Sequence, residues 1–298
     1  MTPIPIPTVK IIFAGGGTGG HLFPAMAIAD RVCELLKDRM KVEILFVGTK
    51  RGLEYRMKDS LGYPLFTINM RGITRSMTLK NLLVPFITVA ALIKSSFLLN
   101  RFKPDMVIGT GGYVCWPVLK VAVWKKITTL LQEQNSFPGI TIRQLARQVK
   151  KIYLGFNKAK EYLKTNAEII VTGNPVRKSL TTEDREKALR IFNLNPDKKT
   201  ILILGGSQGA RAINNAVIKS FEKNSLNKDI QILWQTGKRD YKEVTAKTGT
   251  KVPNVALFPF SQQMEMVYAA ADMVIARAGA LTLAEITTCG LPSILIPY

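Results

Sequence analysis

The chain has 298 residues, 47% of them hydrophobic, enough to bury two ordinary cores and to exclude a disordered or fibrous protein. Lysine plus arginine number 42 against 21 acidic residues, a formal net charge of +21, which predicts an anionic partner: a phosphorylated ligand, an acidic membrane surface or nucleic acid. The three cysteines, Cys33, Cys115 and Cys289, lie apart without CxxC spacing, which argues against a disulfide framework and for a reducing compartment.

In chain order, "MTPIPIPTVK" has prolines where a secretory leader would carry a continuous apolar run, so the sequence reads as cytosolic. "KIIFA" is a short apolar strand, followed by a glycine turn and an apolar-periodic helix. The turn, Gly15 to His21, holds five glycines and the only histidine of the chain. Gly15, Gly17 and Gly20 satisfy G-x-G-x-x-G at the place where backbone N–H groups and a helix dipole meet a phosphate. The second strand, "KVEILFVGT", ends without the carboxylate that a dinucleotide-binding domain sets against the ribose, which argues against the NAD reading. His21 opens a helix whose positive end favours the neutral imidazole, the form a general base requires; the bland alternative is a residue that merely organises the loop.

Further along, "NLLVPFITVAALI" is an uncharged run of 13 residues, short of the ~20 needed to cross a bilayer. Two readings stand for this region. Either it is a core helix, or the part around Leu82, Leu83 and Phe86 is an exposed patch that docks on an anionic leaflet. Asp105 is the only acid between Ser60 and Gln132, among basic residues that include Arg71, Arg75, Lys80 and Lys94.

The strand, glycine turn and helix recur in "PDMVIGTGGYVCWPVLKVAVW", in "KTILILGGSQGARAINNAVIKSFE" and in "ADMVIARAGALTLAEITTCGLPSILIPY". Two doubly wound α/β units with parallel sheets follow from this repetition. The Gly-Asn-Pro turn of "VTGNPVRKSL" places the linker, dividing the chain into 1–176 and 177–298. The second glycine loop, Gly205, Gly206 and Gly209, matches the first, so one substrate is expected in a cleft that the two sheets face with their carboxyl ends. Because the chain stops on a buried-type strand, the second unit is expected to be incomplete. With one histidine, dispersed cysteines and no Asp-x-Asp pair, neither a metal nor another cofactor is expected, and a departing diphosphate is left to helix N-termini and Arg or Lys. No module or aromatic-interleaved basic stretch supports nucleic-acid binding.

Taken together, "GGGTGGHLFPAMAIA", "PDMVIGTGGYV", "EQNSFPG", "TGNPVR", "GGSQGARAINN" and "RAGALTLAEITTCGLPSILIP" resemble the MurG family of bacterial transferases, in that family's order and over nearly the whole chain. The resemblance implies a GT-B architecture and an inverting, metal-independent transfer of N-acetylglucosamine from its UDP conjugate to lipid I, giving lipid II at the cytoplasmic face of the plasma membrane. It implies a donor site made of Thr18, Gly19, Gly20, Asn135, Arg177, Ser207, Ser261 and the run Ala280, Leu281, Thr282, Leu283, Ala284, Glu285. Arg177 would fork onto the diphosphate, Ser207 would line it, and Glu285 would accept from the ribose hydroxyls. His21 is the candidate base and Glu133 the carboxylate next in line. The sequence departs from the family before "EQN", where "KKITTLLQ" lacks a common proline and histidine, and at Ser261, which replaces a usual isoleucine. Two alternatives stand beside this reading: a UDP-sugar transferase acting on another glycolipid such as diacylglycerol, and a non-catalytic fragment that binds a UDP-sugar or a membrane.

Overall fold

The computed structural model describes residues 6–70, 83–205, 209–223, 227–248, 254–261 and 263–297. The chain divides into two compact units, Met1–Pro175 and Val176–Tyr298.

Unit 1 runs β1 (Thr8–Gly15), α1 (Gly19–Leu36), β2 (Lys41–Gly48), α2 (Leu53–Arg56), β3 (Leu65–Thr67), α3 (Val84–Phe102), β4 (Met106–Gly111), α4 (Cys115–Trp124), β5 (Thr128–Glu133), α5 (Ile140–Leu145), β6 (Lys151–Leu154) and β7 (Glu168–Val171). Its seven strands are parallel in the order β3-β2-β1-β4-β5-β6-β7. A parallel sheet needs cover on both faces, and β1 shows how the sequence supplies it. Ile11 and Phe13 join the core that includes Leu22 and Ala25 of α1, whereas Ile12 and Ala14 join the opposite core with Val118 and Leu119 of α4. Four consecutive apolar residues thereby serve two layers, as the two-residue period of a strand demands.

Unit 2 contains α6 (Arg185–Ile191), β8 (Lys199–Leu204), α7 (Arg211–Lys223), β9 (Ile230–Gln235), α8 (Tyr241–Thr248), β10 (Val255–Phe258), α9 (Met264–Ala269), β11 (Met273–Arg277), α10 (Ala280–Thr288) and β12 (Ser293–Ile296). The five strands, again parallel, are ordered β10-β9-β8-β11-β12. Leu202 and Leu204 of β8 face one core with Val274, Ala276 and Ile286; Ile203 faces the other with Ile213 and the fully buried Trp234.

Each strand order reverses direction at one place, between β1 and β4 in unit 1 and between β8 and β11 in unit 2. Loops leaving the carboxyl ends of those neighbouring strands diverge to opposite faces and open a crevice, the position at which doubly wound sheets bind ligands.

Candidate active site

At the first switch point the glycine turns after β1 and β4 meet. The register between the two strands shifts at Gly15, which pairs with Gly111. A side chain on Gly112 would lie 2.6 Å from the Gly16 carbonyl oxygen, so two bare backbones are what permits the approach. Gly111 (φ +104°) also lies under the His21 ring: a Cβ there would be 2.7 Å from Nδ1.

His21 sits in the first turn of α1, half-buried. Its Nδ1 lies 2.9 Å from the Thr110 carbonyl oxygen and 3.0 Å from Gln134 Oε1, while the Thr110 hydroxyl donates back to the His21 carbonyl at 2.8 Å. Gln134 Nε2 donates to the Thr110 oxygen (2.9 Å), to the Gln132 carbonyl (3.2 Å) and to Gln132 Oε1. Gln132 Nε2 reaches Asn174 Oδ1 (3.3 Å), and Asn174 Nδ2 donates to the Gln134 carbonyl (3.0 Å). Two separate sequence stretches thus meet one imidazole, and a third, at Asn174, supports the second of them.

Thr18 is the N-cap residue of α1, yet its side chain makes no capping hydrogen bond. Gly19 is required by packing, since a Cβ there would stand 2.8 Å from the Phe23 ring. Gly20 is different: it is exposed, and the nearest atom to a Cβ would be the Thr18 hydroxyl at 3.8 Å. Packing gives no reason for glycine at this position, whereas close approach of a ligand to the helix start does.

Two carboxylates shape this site from below. Glu133 is buried, and its oxygens accept from the Asn135 amide (2.8 Å), from Asn135 Nδ2 (2.9 Å) and from the Gly139 amide (2.9 Å). It holds the 134–139 loop and orients Asn135. Glu54, 0% exposed, accepts from the amides of Gly17 and Thr49, both at 2.7 Å, and from the Thr49 hydroxyl at 3.3 Å. Side chains on Gly16, Gly48 or Gly52 would collide with it. An acid therefore does stand beyond the second strand, but it is folded under the glycine loop, where it takes the Gly17 amide. Glu54, Thr110, Gln132, Gln134 and Asn174 escape sequence reasoning as site residues. Only the clustering of Gly48 and Gly52 around Glu54, and the "EQN" and "GNP" contexts of Gln134 and Asn174, mark them.

At the second switch point, Ala280–Glu285 form the first turns of α10, directly after the N-cap residue Gly279. Ala280 to Ala284 are half-buried and Glu285 is buried, accepting from the Tyr268 hydroxyl at 2.9 Å. Burial raises the Glu285 carboxyl above its ordinary value despite the opposing Tyr268 hydrogen bond and Arg177 charge. The same burial, with the Glu285 charge, pushes the Tyr268 phenol well up. Arg177 pairs with Glu265 at 3.7 Å. Arg177, Glu265, Tyr268 and Glu285 thus form one charged cluster in unit 2. Ser261 follows β10; its amide donates to Gln235 Oε1 (3.1 Å) and its hydroxyl accepts from the Gln263 amide (3.0 Å). Ser207 lies outside the described residues, as does Leu82. The turn after β8 ends at Gly209 (φ +81°), where a Cβ would lie 2.7 Å from the Thr236 carbonyl oxygen.

Leu83 is the N-cap residue of α3 and Phe86 lies in its first turn. Ala91, Ser95, Leu98 and Leu99 bury one face of that helix, and on the other Phe86 is 75% and Ile93 67% exposed, with Val89 and Phe97 also exposed.

Two parallel α/β units, each with a glycine turn and a helix start at its switch point, give the chain the GT-B fold. Residues 11–154 match the glycosyltransferase family 28 N-terminal domain, and residues 200–298 match the family's C-terminal domain. A Thermoanaerobacter protein named UDP-N-acetylglucosamine–N-acetylmuramyl-(pentapeptide) pyrophosphoryl-undecaprenol N-acetylglucosamine transferase is 44% identical over 97% of this chain and 79% of its own length. A Flavobacterium psychrophilum protein of the same name is 43% identical, covering 97% of this chain and 77% of itself. The crystal structure of Acinetobacter baumannii MurG superposes with a TM-score of 0.68 at 27% identity, over 98% of this chain and 79% of that one. The chain belongs to glycosyltransferase family 28 and, within it, to the MurG family.

Proposed function

We propose that this chain transfers N-acetylglucosamine from UDP-N-acetylglucosamine to lipid I, with inversion and without a metal or other cofactor, at the cytoplasmic face of the bacterial plasma membrane. The observation that supports the chemistry best is the state of His21. Its Nδ1 is fully engaged and its Nε2 has no partner among the described residues, so the ring presents one nitrogen to a substrate proton. In the reaction the acceptor hydroxyl oxygen bonds to the anomeric carbon, its proton passes to His21 Nε2, and the bond from that carbon to the diphosphate oxygen breaks with its electron pair leaving on UDP. Arg177, Ser207 and the start of α10 take the diphosphate charge, and Glu285 accepts from the ribose through the oxygen that Tyr268 leaves unused. Thr18, Gly19 and Gly20 line the substrate through backbone and hydroxyl, Asn135 contacts the donor from the loop that Glu133 holds, and Ser261 closes the base side.

The acceptor is lipid-linked, so the enzyme must reach a membrane, and the exposed face of α3 is the surface for it. By length and composition alone this 19-residue helix could cross a bilayer. Its opposite face, however, is committed to the unit 1 core through Ala91, Leu98 and Leu99, which leaves it to lie in the interface plane with Leu83, Phe86, Val89, Ile93 and Phe97 outward.

The test is transfer of labelled N-acetylglucosamine from UDP to a soluble lipid I analogue, with and without a chelator. Transfer that survives chelation, and that falls by ~10²- to 10⁴-fold in His21→Ala, is the expected result. Transfer to diacylglycerol instead, or its loss on chelation, would overturn the reading.

A further inference from the structure

We infer that Gln134 is a positioning residue that fixes the tautomer of His21, so that every proton the ring exchanges passes through Nε2. Both groups within hydrogen-bond distance of Nδ1, the Thr110 carbonyl oxygen and Gln134 Oε1, are acceptors. An unprotonated Nδ1 would set a lone pair against two oxygens, so Nδ1 carries the hydrogen and the neutral ring has its lone pair on Nε2. That is the tautomer a histidine side chain disfavours in water.

The orientation of the Gln134 amide follows from its other partners. Its nitrogen lies against the Thr110 oxygen, the Gln132 carbonyl and Gln132 Oε1, all acceptors, so turning the amide over would face one oxygen toward three others. The order propagates. Gln132 Oε1 is held toward Gln134 because Gln132 Nε2 donates to Asn174 Oδ1, and Asn174 Nδ2 in turn donates to the Gln134 backbone. Asn174 fits only because position 155 is glycine, where a side chain would strike the Asn174 amide. Gln132 and Gln134 are buried and Asn174 half-buried, and the chain of amides has one consistent polarity, ending on the imidazole. Gln132 stands in the stretch where the sequence departs from its family, so here the polarity is set by amides alone.

The link from Gln134 to turnover rests on His21 acting as the base; the tautomer does not, and this separates the two in experiment. Because His21 is the only histidine, its ring nitrogens give unambiguous nitrogen-15 signals in the intact chain. At a pH where the ring is neutral, the wild type is expected to show a protonated Nδ1 and a bare Nε2. Gln134→Met should shift the population toward protonated Nε2. It should also lower kcat by about 10- to 100-fold, taking the scale known for groups that orient metal-bound imidazoles, with the donor KM little changed. Should Gln134→Met fail to fold, Gln132→Ala, which removes one of the three acceptors that orient the Gln134 amide without touching the ring, is expected to shift the tautomer in the same direction by less. A wild-type ring protonated at Nε2, or a tautomer unaffected in a folded variant, would overturn the inference. Full activity of His21→Ala would instead remove the base assignment and leave the tautomer result standing.

Discussion

At the scale of single residues, Glu285 and Gly20 are where the proposed binding role and stability oppose each other. Glu285 is buried, and its carboxyl is raised above the ordinary value of 4.5 chiefly by that burial. A raised folded value means that this group favours folding below 4.5 and that the contribution is lost as pH rises through the folded value; the ionised form costs stability at neutral pH. Glu285→Gln should therefore raise the melting temperature at pH 7.5, the gain vanishing near pH 4, while UDP affinity weakens by roughly 1 to 2 kcal/mol as a charged acceptor becomes neutral. Calorimetric melting at the two pH values and titration with UDP check both halves. Gly20→Ala tests the loop in the same spirit. A Cβ meets nothing closer than 3.8 Å and the position is helical, so the substitution should stabilise the fold by about 0.4 to 1 kcal/mol. It should nevertheless raise KM for substrate, because the methyl group occupies the approach to the α1 start. An unchanged KM would return Gly20 to a role in the loop alone.

Among the elements, α3 carries the clearest division of labour. Ala91, Ser95, Leu98 and Leu99 fall on one face by helical spacing and pack toward the core, while Phe86, Val89, Ile93 and Phe97 form a stripe on the other. Lys94 lies over the Phe66 ring at 5.2 Å, and Lys125, the C-cap residue of α4, donates to Asn100 at 2.8 Å. Cations near an apolar stripe suit an anionic leaflet, each contributing on the order of 1 kcal/mol. Phe86→Asp is expected to abolish sedimentation with phosphatidylglycerol vesicles while leaving the thermal transition in place, since the ring is exposed. Wild-type binding should weaken between 50 mM and 500 mM salt, by about the ratio set by the shrinking Debye length. Binding that persists in the variant would assign the membrane contact elsewhere.

For the molecule as a whole, the buried-side carboxylates that make the fold sensitive to acid, Asp240 and Asp272, both lie in unit 2. Burial pushes the Asp240 carboxyl up, but hydrogen bonds from Arg239 and Asn214 and the Arg211 charge outweigh it, so the group sits below the ordinary 3.8. Asp272 is lowered by the same balance, through the Thr200 amide, Arg185 and Lys199. Depressed values mean stability that is present above 3.8 and lost as pH falls through the folded values. Unit 2 should therefore unfold in acid, and Asp240→Asn should flatten that pH dependence while lowering stability at pH 7, as followed by circular dichroism. Asn214 ties this cluster to the buried Trp234 indole at 3.1 Å, so the loss is expected to be felt in the core.

The sequence by itself determined the two parallel α/β units, their glycine turns and the family, because strand and helix periods are local and the motifs are contiguous. Over Val84–Phe102 one helix carries both a core face and an exposed face, and only packing says which is which. His21 was legible because it follows a glycine loop, but what decides its tautomer, Gln134 and Thr110, lies 113 and 89 residues away. Glu133 and Asn135 were legible as a motif, yet only the fold makes Glu133 the holder of a loop. Tyr268 carried no sequence signal and Glu54 only its flanking glycines, since a buried polar side chain and a solvated one are written with the same letter. Whether such a group is a base, a hinge for a loop or a ligand anchor depends on which donors the chain brings to it, and long-range parallel pairing, not local propensity, brings them.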